Sequence, residues 1–392
     1  MEEWKEYKLG EVVNVLDYKR VPLSSKERST RQGCYPYYGA QGIIDYIDDY
    51  IFDGTYLLIA EDGENLNSQK HNVAQLANGK YWVNNHAHIV ESNGKSDIRY
   101  ICYLLNTLDL SGYITGSAQP KLNQANLTKI TFNLPSLETQ KRIADCLSVF
   151  DDKIENNKRI NENLEQQAQA LFKSWFVDFE PFKDQPFEES ELGMIPKGWK
   201  VGTLNDVAEL RKPSIRPQDK IFYTHYSIPA FDNSKKPSAD EGSTIKSNKF
   251  GISDGAVLLS KLNPSTKRIW YTGIVPNNSV SSTEFLPFYS KNQKFTPFLY
   301  CYLNYNRNYN EIANGAKGTT NSHQRIDANS ILNRNLAISE EAIDKFSDCC
   351  QSFMNLILAA NQESRRLAQI RDLLLPKLMS GELKINDVEK NL

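Results

Sequence analysis

Two histidines and a nearby group of acidic residues are the side chains whose spacing could support metal chemistry. His86 and His88 form a His-x-His pair, and Glu61, Asp62 and Glu64 provide carboxylates. Such ligands suit a zinc or nuclease-type site, but no third ligand follows the histidines at a useful spacing. The acids stand beside a glycine and an asparagine, as loop residues commonly do. We therefore predict no metal site and no catalytic residue.

Sequence motifs for enzyme chemistry are also missing. The chain contains no GxGxxG or GxxxxGK[ST] phosphate loop and no GxSxG nucleophile elbow. It lacks the Asn/Asp-Pro-Pro-aromatic tetrapeptide and the Phe-x-Gly-x-Gly loop with which amino-methyltransferases hold their target and cofactor. The six cysteines show no CxxC spacing, which disfavours a zinc or disulfide framework. The sequence predicts a chain that binds no cofactor itself.

The composition is typical of a globular protein that works in the cytoplasm. The chain has 392 residues, of which 40% are hydrophobic, enough for two or three domains. No apolar run approaches the roughly 18 residues of a membrane span, and the start lacks a signal-peptide core. Residues 201–335 carry 17 Lys+Arg against 10 Asp+Glu, whereas residues 1–135 carry 13 against 16. The second half therefore has the stronger electrostatic attraction for nucleic acid.

The chain repeats itself after about 200 residues. The matching positions are Trp4 with Trp199, Leu9 with Leu204, Asp53-Gly54 with Asp254-Gly255, Leu57-Leu58 with Leu258-Leu259, Cys102 with Cys301, Lys121-Leu122 with Arg325-Ile326, Asp145 with Asp348 and Phe150 with Phe353. The offsets run from 195 to 204, as loop insertions would produce. The sequence therefore predicts an internal duplication.

Each copy begins with short apolar strands and turns and ends in a long helix. Ser136 and Ser339 are the predicted N-caps, and a heptad stripe of apolar residues follows each of them. Helices of about 40 residues would be roughly 60 Å long and would bury their stripes most simply against each other, as an antiparallel coiled coil. The predicted interface residues are Ile143, Leu147, Phe150, Ile154, Leu164, Leu171, Phe346, Cys350, Phe353, Ile357, Leu367 and Leu374.

Polar residues interrupt both stripes in the middle, at Asn157, Asn161 and Ser364. One interpretation is a solvated stretch, and the other is a polar contact that fixes the register of the helices. The segment between the copies is rich in proline and acids, which favours a surface linker or docking segment rather than a core element.

The predicted fold class is α+β, with two similar mixed α/β domains separated by two long helices that pack as an antiparallel coiled coil, related by a pseudo-two-fold repeat. The predicted boundaries are 1–135 for the first domain, 136–177 for the first long helix, 178–198 for the linker, 199–338 for the second domain, 339–380 for the second long helix and 381–392 for a C-terminal tail. Duplication without catalytic motifs favours a two-headed reader of duplex DNA. A coiled-coil scaffold with protein-binding heads and a self-sufficient methyltransferase are the alternatives from other classes.

Several phrases of the sequence resemble a known family. They are YYGAQGIIDYIDDYIFDGTYLLIAEDG (37–63), GKYWVNNHAHIV (79–90), LFKSWFVDFEPF (171–182), ELGMIPKGW (191–199), GAVLLSKLNPSTKRIW (255–270), NNSVSSTEF (277–285) and LLLPKLMSGEL (373–383). Over nearly its whole length the chain resembles the specificity subunit of type I restriction–modification systems.

The resemblance implies a non-catalytic subunit with two target recognition domains, each reading one half of a bipartite, asymmetric site in double-stranded DNA. It implies that the helices set the spacer and dock two adenine-N6 methyltransferase (modification) subunits, joined by restriction–translocation subunits. S-adenosylmethionine, and ATP and Mg²⁺ for restriction, would then be used by the partner subunits. A close alternative is the specificity subunit of a fused methylase–nuclease.

Base readout needs polar or cationic side chains on exposed loops. The loop before each long helix is polar and keeps a cation at matching positions, Lys121 and Arg325, although it could also be an ordinary solvated loop. A second candidate surface begins at Lys261. The predicted DNA contacts are Lys19, Arg20, Tyr37, Tyr38, Ser117, Gln119, Lys121, Lys261, Asn263, Ser265, Lys267, Arg268, Thr319, Thr320, His323 and Arg325.

Overall fold

The computed structural model describes residues 4–68, 72–116, 119–316 and 324–390. The chain forms two compact units. The first unit comprises Met1–Glu155 and Ser364–Leu392, and the second unit comprises Asn156–Glu363. Each of two long helices contributes residues to both units. Among the described residues, no helix combines the length and the hydrophobicity that crossing a membrane requires.

The first unit is built mainly from antiparallel strands. Its strands are β1 (Lys5–Lys8), β2 (Val13–Val15), β3 (Gln32–Gly39), β4 (Gly42–Ile47), β5 (Phe52–Asp53), β6 (Tyr56–Ala60), β7 (Ala74–Ala77), β8 (Lys80–Val83), β9 (Ala87–Ser92) and β10 (Thr131–Leu134). Its helices before the first long helix are α1 (Leu9–Val12), α2 (Ser25–Thr30), α3 (Asn65–Ser68), α4 (Ile98–Leu105) and α5 (Gln124–Leu127). The strands form a central sheet β2-β9-β6-β7, a second sheet β4-β3-β8-β5 and the pair β1-β10.

The core of the first unit surrounds the central strand β6. Its residues from Leu57 to Ala60 are all buried, because β9 and β7 flank the strand and α4 covers one face. The carboxylate of Asp97 caps α4 by accepting hydrogen bonds from the amides of Arg99 and Tyr100. Each leucine or isoleucine buried in this way contributes about 1.5–3 kcal/mol.

The second unit follows the same plan. The chain first continues through the long helix α6 (Leu137–Phe176). The strands are β11 (Phe187–Ser190), β12 (Gly193–Pro196), β13 (Lys200–Thr203), β14 (Ala208–Leu210), β15 (Ser214–Ile215), β16 (Phe222–Tyr226), β17 (Ser238–Glu241), β18 (Lys249–Gly251), β19 (Val257–Ser260), β20 (Ile269–Tyr271), β21 (Ser279–Ser281), β22 (Phe285–Ser290) and β23 (Asn335–Ile338). The helices are α7 (Leu204–Val207), α8 (Ile228–Ser234), α9 (Thr296–Asn304), α10 (Asn306–Asn314), α11 (Ala328–Leu332) and the long α12 (Glu340–Met379). The last helix, α13 (Ile385–Glu389), belongs to the first unit.

Strand order and register confirm the internal duplication. The second unit contains the central sheet β14-β22-β19-β20, which matches β2-β9-β6-β7, and the pair β13-β23, which matches β1-β10. Its other large sheet has the order β15-β18-β21-β16-β17, and β11 and β12 form a separate hairpin. The parallel pairing of β3 with β8 recurs between β16 and β21. The two units are therefore copies of one architecture.

The register also corrects one detail of the sequence alignment. Val90 pairs with Leu57 in the first central sheet, and its equivalent Phe288 pairs with Val257 in the second. Leu57 therefore corresponds to Val257, and its alignment with Leu258 is wrong by one residue. The first unit has one additional residue, Thr55, between the turn and the strand. A slip of one residue matters because it would move every side chain to the other face of the sheet.

The two long helices begin at the predicted caps. The hydroxyl of Ser136 accepts a hydrogen bond from the amide of Thr139 at 3.2 Å, and that of Ser339 accepts one from Ala342 at 3.3 Å. Each helix is 40 residues long. The C-terminal segment, predicted as a tail, forms α13 and buries its apolar side chains in the core of the first unit.

Within each unit the long helices run antiparallel. In the second unit, Asn157 lies beside Glu363, and Phe172 lies 6.0 Å from Phe346 between ring centroids. In the first unit, Asp151 forms an ion pair with Arg371, and α13 after the second helix contacts α6 near its start. Residue numbers therefore rise along one helix as they fall along the other.

None of the predicted interface residues is exposed. The side chains of Ile143, Leu147, Phe150, Leu164, Phe346, Cys350 and Ile357 are buried, and those of Ile154, Leu171, Phe353, Leu367 and Leu374 are partly buried. The ends of the stripes pack against the globular parts as well as against the other helix, since Ile143 joins the core around β6 and Phe346 joins the core around β19. The apolar stripe predicted as a coiled coil therefore makes two kinds of contact, one with the other helix and one with the globular part of its unit.

The polar middle of the stripe makes specific contacts. Asn157 is 2% exposed, and its amide nitrogen donates to Glu363 Oε2 at 2.7 Å and to the carbonyl of Ala360 at 3.4 Å. Asn161 donates to Asn361 Oδ1 at 2.9 Å. The interpretation of a merely solvated stretch is therefore wrong for Asn157. Its contacts favour a role in register, because sliding the helices would leave a buried amide unpaired.

The segment between the copies packs more tightly than its composition indicates. Ile195 is 3% exposed and joins Trp199 and Ala342 in a small apolar cluster. The ring centroid of Phe179 lies 5.4 Å from that of Trp199. Ile195 and Phe179 are therefore not the solvated residues of a surface linker, because the aromatic side chains of the segment pack against Trp199, directly before β13.

Candidate nucleic-acid interface

A backbone hydrogen bond joins the polar loop before each long helix to the central sheet of its unit. In the first unit, the amide of Leu122 donates to the carbonyl of Glu61 at 2.8 Å, directly after β6. In the second unit, the amide of Ile326 donates to the carbonyl of Lys261 at 3.0 Å, directly after β19. The sequence alignment of these loop ends is confirmed, and Glu61 and Lys261 occupy equivalent positions.

The cation at each loop end pairs with a carboxylate. Lys121 Nζ lies 3.1 Å from Glu61 Oε1, and the guanidinium of Arg325 donates to both oxygens of Glu284 at 3.2 Å. The side chains of Lys121 and Arg325 are 54% and 55% exposed. Ion pairs this exposed contribute about 0–1 kcal/mol, so both cations remain available to a phosphate or a base. Sequence reasoning missed Glu284, although the repeat places it next to a strand end.

In the first unit a buried charge network surrounds the loop end. Arg20 Nη1 lies 2.7 Å from Glu61 Oε2, and Arg20 Nη2 lies 3.3 Å from Asp17 Oδ2. His88 Nδ1 lies 2.5 Å from Asp17 Oδ2, and His88 Nε2 lies 2.6 Å from the carbonyl of Leu122. The His88 ring therefore links the carboxylate of Asp17 to the backbone of the loop end.

The network keeps Glu61 ionised. Burial by itself would raise the pKa of the Glu61 carboxyl. Hydrogen bonds from Arg20 and Lys121 and the attraction of His88 outweigh burial, and they hold the pKa below its usual range. The loop end of the first unit is therefore anchored by charges that are satisfied within the protein.

The same network contains the side chains that could hold a metal ion. One ligand atom each from Asp17, Glu61 and His88 lies within 4.8 Å of the others. The guanidinium of Arg20 already supplies the positive charge between the two carboxylates. The arrangement thus acts as an ion network that fixes the loop.

The structure contradicts the predicted DNA contacts at Tyr37 and Arg268. Tyr37 is fully buried because β3 is an inner strand, and its hydroxyl accepts a hydrogen bond from the amide of Leu23 at 2.8 Å. Arg268 is buried as well and donates to both oxygens of Asp232 at 2.6 and 2.8 Å. Neither side chain can reach DNA in this conformation.

Two further cations are occupied inside the protein. Lys267 Nζ donates to the carbonyl of Asn304 and, at 2.9 Å, to Asn306 Oδ1, and burial lowers the pKa of this lysine. Arg20 is committed to the charge network, where it also donates to the carbonyl of Ala87 at 3.0 Å. Neighbouring elements therefore hold both cations, and DNA contacts at these two residues stay predictions.

The remaining predicted contacts differ in exposure and stay predictions. Lys19, Gln119, Lys121, Ser265 and Arg325 are exposed, and Tyr38, Lys261 and Asn263 are partly buried. Tyr38 packs edge-on against Tyr81, with ring centroids 5.3 Å apart. Ser117, Thr319, Thr320 and His323 lie outside the described residues. The structure thus brings the exposed candidates of each unit to the ends of its central strands.

Comparison with known proteins shows which family this chain resembles. A family model described as the type I restriction modification DNA specificity domain matches residues 1–166 and 196–333. The MjaIX type I restriction enzyme specificity subunit of Methanocaldococcus jannaschii is 34% identical over 310 residues, covering 74% of this chain and 70% of that protein. The HindI type I restriction enzyme specificity subunit of Haemophilus influenzae is 26% identical over 343 residues, covering 67% of this chain and 71% of that protein.

A solved structure has the same fold. The S subunit of a type I restriction–modification system from M. genitalium superposes with a TM-score of 0.59 at 15% identity, and the match covers 96% of each chain. At that identity the likeness concerns the fold alone. The family model, however, accounts for most of this sequence, and it matches both copies of the repeat. The chain therefore belongs to the specificity subunits of type I restriction–modification systems.

Proposed function

We propose that each unit reads one half of a bipartite, asymmetric site in double-stranded DNA, without catalysing a reaction itself. The observation that carries the proposal is the pair of loop ends at equivalent positions. Both present an exposed cation beside a central strand, but one is Lys121 and the other Arg325. Arginine can donate two hydrogen bonds to guanine, whereas lysine acts as a point charge. Equivalent sites with unlike donors suit two half-sites of different sequence.

In this proposal α6 and α12 set the distance between the half-sites. Each helix contributes residues to both units, so the length of the helices is the natural determinant of the spacer. The buried contact of Asn157 with Glu363 supports a fixed register. Removing four residues from each helix, at 153–156 and 365–368, would shorten it by roughly 6 Å, or about two base pairs.

The helices are also proposed to dock two adenine-N6 methyltransferase subunits. Each unit has exposed apolar side chains on both helices: Val149 and Leu373 in the first unit, and Ile160 and Leu356 in the second. Exposed apolar residues that face no core are typical of protein contacts when they cluster. One such set in each unit suits two copies of a partner. S-adenosylmethionine, and ATP and Mg²⁺ for restriction, are proposed to bind the partner subunits.

A map of N6-methyladenine tests the proposal directly. The genome would be compared in cells that carry the methyltransferase gene with and without this chain. We expect a bipartite motif with a fixed spacer that depends on the chain. A stable complex with the methyltransferase but no chain-dependent motif would contradict the reader function and favour a scaffold.

The helix deletion tests the spacer separately. Methylation by the shortened chain should retain both half-sites and lose about two base pairs from the spacer. A variant with conservative substitutions at the same eight positions serves as the control, because it keeps the length. An unchanged spacer in the deletion variant would reject the proposed role of the helices while leaving half-site recognition intact.

A further inference from the structure

An exposed histidine at the loop end of the first unit lies outside the buried charge network. His86 directly precedes β9, and its side chain is 52% exposed. Its Nδ1 atom lies 2.6 Å from Oδ2 of Asp62, a side chain that is 35% exposed. Among the residues that the structure describes, the Nε2 atom has no hydrogen-bond partner. Exposed pairs of this kind add little to the stability of a fold, so stability does not account for the pair.

The backbone fixes this pair beside the loop that carries Lys121. The amide of His86 donates to Oδ1 of the buried Asn84 at 2.8 Å, and its carbonyl accepts a hydrogen bond from the amide of Glu61 at 2.9 Å. Asp62 forms an isolated antiparallel bridge with Lys121. The imidazole, the carboxylate and the lysine therefore belong to one strand end, and the backbone of the histidine is held at both its amide and its carbonyl.

The second unit has the same backbone contact but a different side chain at this position. The carbonyl of Glu284 accepts a hydrogen bond from the amide of Lys261 at 2.9 Å, and Lys261 is the equivalent of Glu61. Glu284 therefore occupies the position of His86. Its carboxylate accepts hydrogen bonds from the guanidinium of Arg325, so the second strand end presents a donor.

The histidine–carboxylate pair is a property of the first unit and not of the common architecture. Leu262 forms the bridge to Arg325 that Asp62 forms to Lys121, so a leucine replaces the carboxylate. A lysine that contacts a phosphate carries no sequence information. The first unit therefore needs another side chain at its loop end to read a base.

The chemistry of the pair favours the acceptance of a hydrogen bond. An ionised carboxylate only accepts, so the ring proton that Asp62 binds is on Nδ1. A neutral ring with its proton there presents a lone pair at Nε2. The negative charge of Asp62 repels a phosphate, whereas an amino group on the edge of a base is a neutral donor. In the major groove only adenine and cytosine present such an amino group, at N6 and N4.

We propose that His86 reads an adenine or a cytosine of the first half-site, with Nε2 accepting a hydrogen bond from the exocyclic amino group, and that Asp62 positions the ring. The inference rests on the proposed reader function and names the reading residue of the first unit. Lys121 then contacts a phosphate beside it. An acceptor in one unit and the donor Arg325 in the other distinguish the two half-sites.

The test uses the full chain bound to its methyltransferase subunits and fluorescent duplexes that carry the methylated motif. At each adenine and cytosine of the motif in turn, the amino group is removed by placing purine or 2-pyrimidinone there. Removal at one position should weaken binding of the unaltered chain about tenfold more than it weakens binding of His86→Phe. Any loss of base pairing is the same for both proteins, so the ratio of the two effects isolates the contact.

Variants of the carboxylate test the positioning role. Asp62→Ala should lose most of the response to that amino group, because the ring is no longer held. Asp62→Asn should keep it, because the amide oxygen still accepts from Nδ1. Asp49→Asn, at an exposed carboxylate of the same unit that pairs with Arg31, is the matched control and should respond like the unaltered chain. A merely structural role of Asp62 would not change the response to a single amino group.

Two results would overturn the inference. Equal responses of the unaltered chain and His86→Phe to every removal would show that His86 reads no amino group. A difference that appears only with 7-deazaguanine would show that the ring donates to guanine instead. If the unaltered complex fails to distinguish duplexes with and without the motif, the reader function itself is wrong. A complex that distinguishes them equally well with His86→Phe rejects only the role of His86.

Discussion

The central sheets of the two units share strand order and register, but the charges at their ends differ. In the first unit, Glu61 follows β6 and the buried His88 lies on β9. In the second unit, Lys261 occupies the position of Glu61, and Leu286 occupies that of His88. The loop end is held by a buried ion network in one unit and by the exposed pair of Arg325 with Glu284 in the other.

The different charges at the two loop ends show which groups the fold requires and which can vary. Both loops keep the same backbone bridge, so the fold needs only that bridge to bring a cation to the strand end. Side chains around the bridge are free to differ because they lie at the rim of the core. In the proposed function, variation of charge on a constant fold would let one architecture read two unlike half-sites.

The largest effect is expected from removing the buried imidazole. His88→Leu places in the first unit the residue type found in the second, but it removes the ring contact to the buried carbonyl of Leu122 and one of the contacts to Asp17, which keeps Arg20 and the amide of Ile89. We expect the free energy of unfolding of the first unit to fall by about 3–5 kcal/mol. Urea denaturation, with hydrogen exchange of β9, measures it. His86→Leu, at an exposed histidine paired with Asp62, should cost about 0–1 kcal/mol. Equal costs would contradict a buried network.

Neutralising Glu61 and Glu284 should show how differently the two loop ends are held. Glu61→Gln should destabilise the first unit by about 1–3 kcal/mol, because Arg20 loses a partly buried partner. Glu284→Gln should change the stability of the second unit by less than about 1 kcal/mol. Both variants would be compared by urea denaturation at neutral pH. Similar values would mean that the two loop ends are held in the same way.

The carboxyl group of Glu61 makes the stability of the first unit depend on pH. The folded pKa of Glu61 lies below the ordinary value of 4.5, so its stabilisation is present above that value. It is lost as the pH falls through the folded pKa. The Glu61→Gln variant should therefore lose less stability than the unaltered chain on acidification, in urea denaturation series from neutral to acidic pH. An equal loss in both would exclude Glu61 as a contributor.

Arg325→Ala tests whether the second unit reads a base through its loop. Removing a bidentate donor should weaken binding to the second half-site by about 1–3 kcal/mol and relax its sequence preference there. Binding to the first half-site should not change. Arg307→Ala removes another exposed arginine of the same unit, one paired with Glu311, and serves as the control. Unchanged affinity and methylation at the second half-site would rule out this role.

The smallest effect is expected for Lys121→Gln in the first unit. A lysine that contacts a phosphate should weaken binding uniformly across sequences and reduce the salt slope by about one. Lys129→Gln, at an exposed lysine near the same loop, is the matched control. A sequence-dependent loss as large as that of Arg325→Ala would show that the two loops read DNA in the same way.

Local features of the sequence correctly predicted the two long helices and their caps. The heptad stripes and the serine caps of α6 and α12 depend on residues close together in the chain. The duplication could also be recognised because its offset is nearly constant. The alignment failed at Leu57, where the additional Thr55 shifts the strand by one residue. Only the pairing with β9 revealed that shift.

Predictions of individual DNA contacts depended on which side chains are buried, and the sequence does not show this. Tyr37 and Arg268 have side chains suited to DNA, and both are buried by strands and loops distant in the sequence. The strand end beside His86 joins segments that lie between residues 61 and 121. No periodicity marks such a surface.

The sequence by itself determined the duplication, the two long helices and the family, because caps and heptads are local patterns and the offset of the repeat is nearly constant. The tertiary structure alone decided which cations are anchors and which remain exposed. The physical reason is that a cationic side chain stays available to DNA when it is exposed, even in a weak surface ion pair, but not when it is buried with its partner. Those partners, such as Asp232 for Arg268 and Glu61 for Arg20, are brought close by the pairing of distant strands.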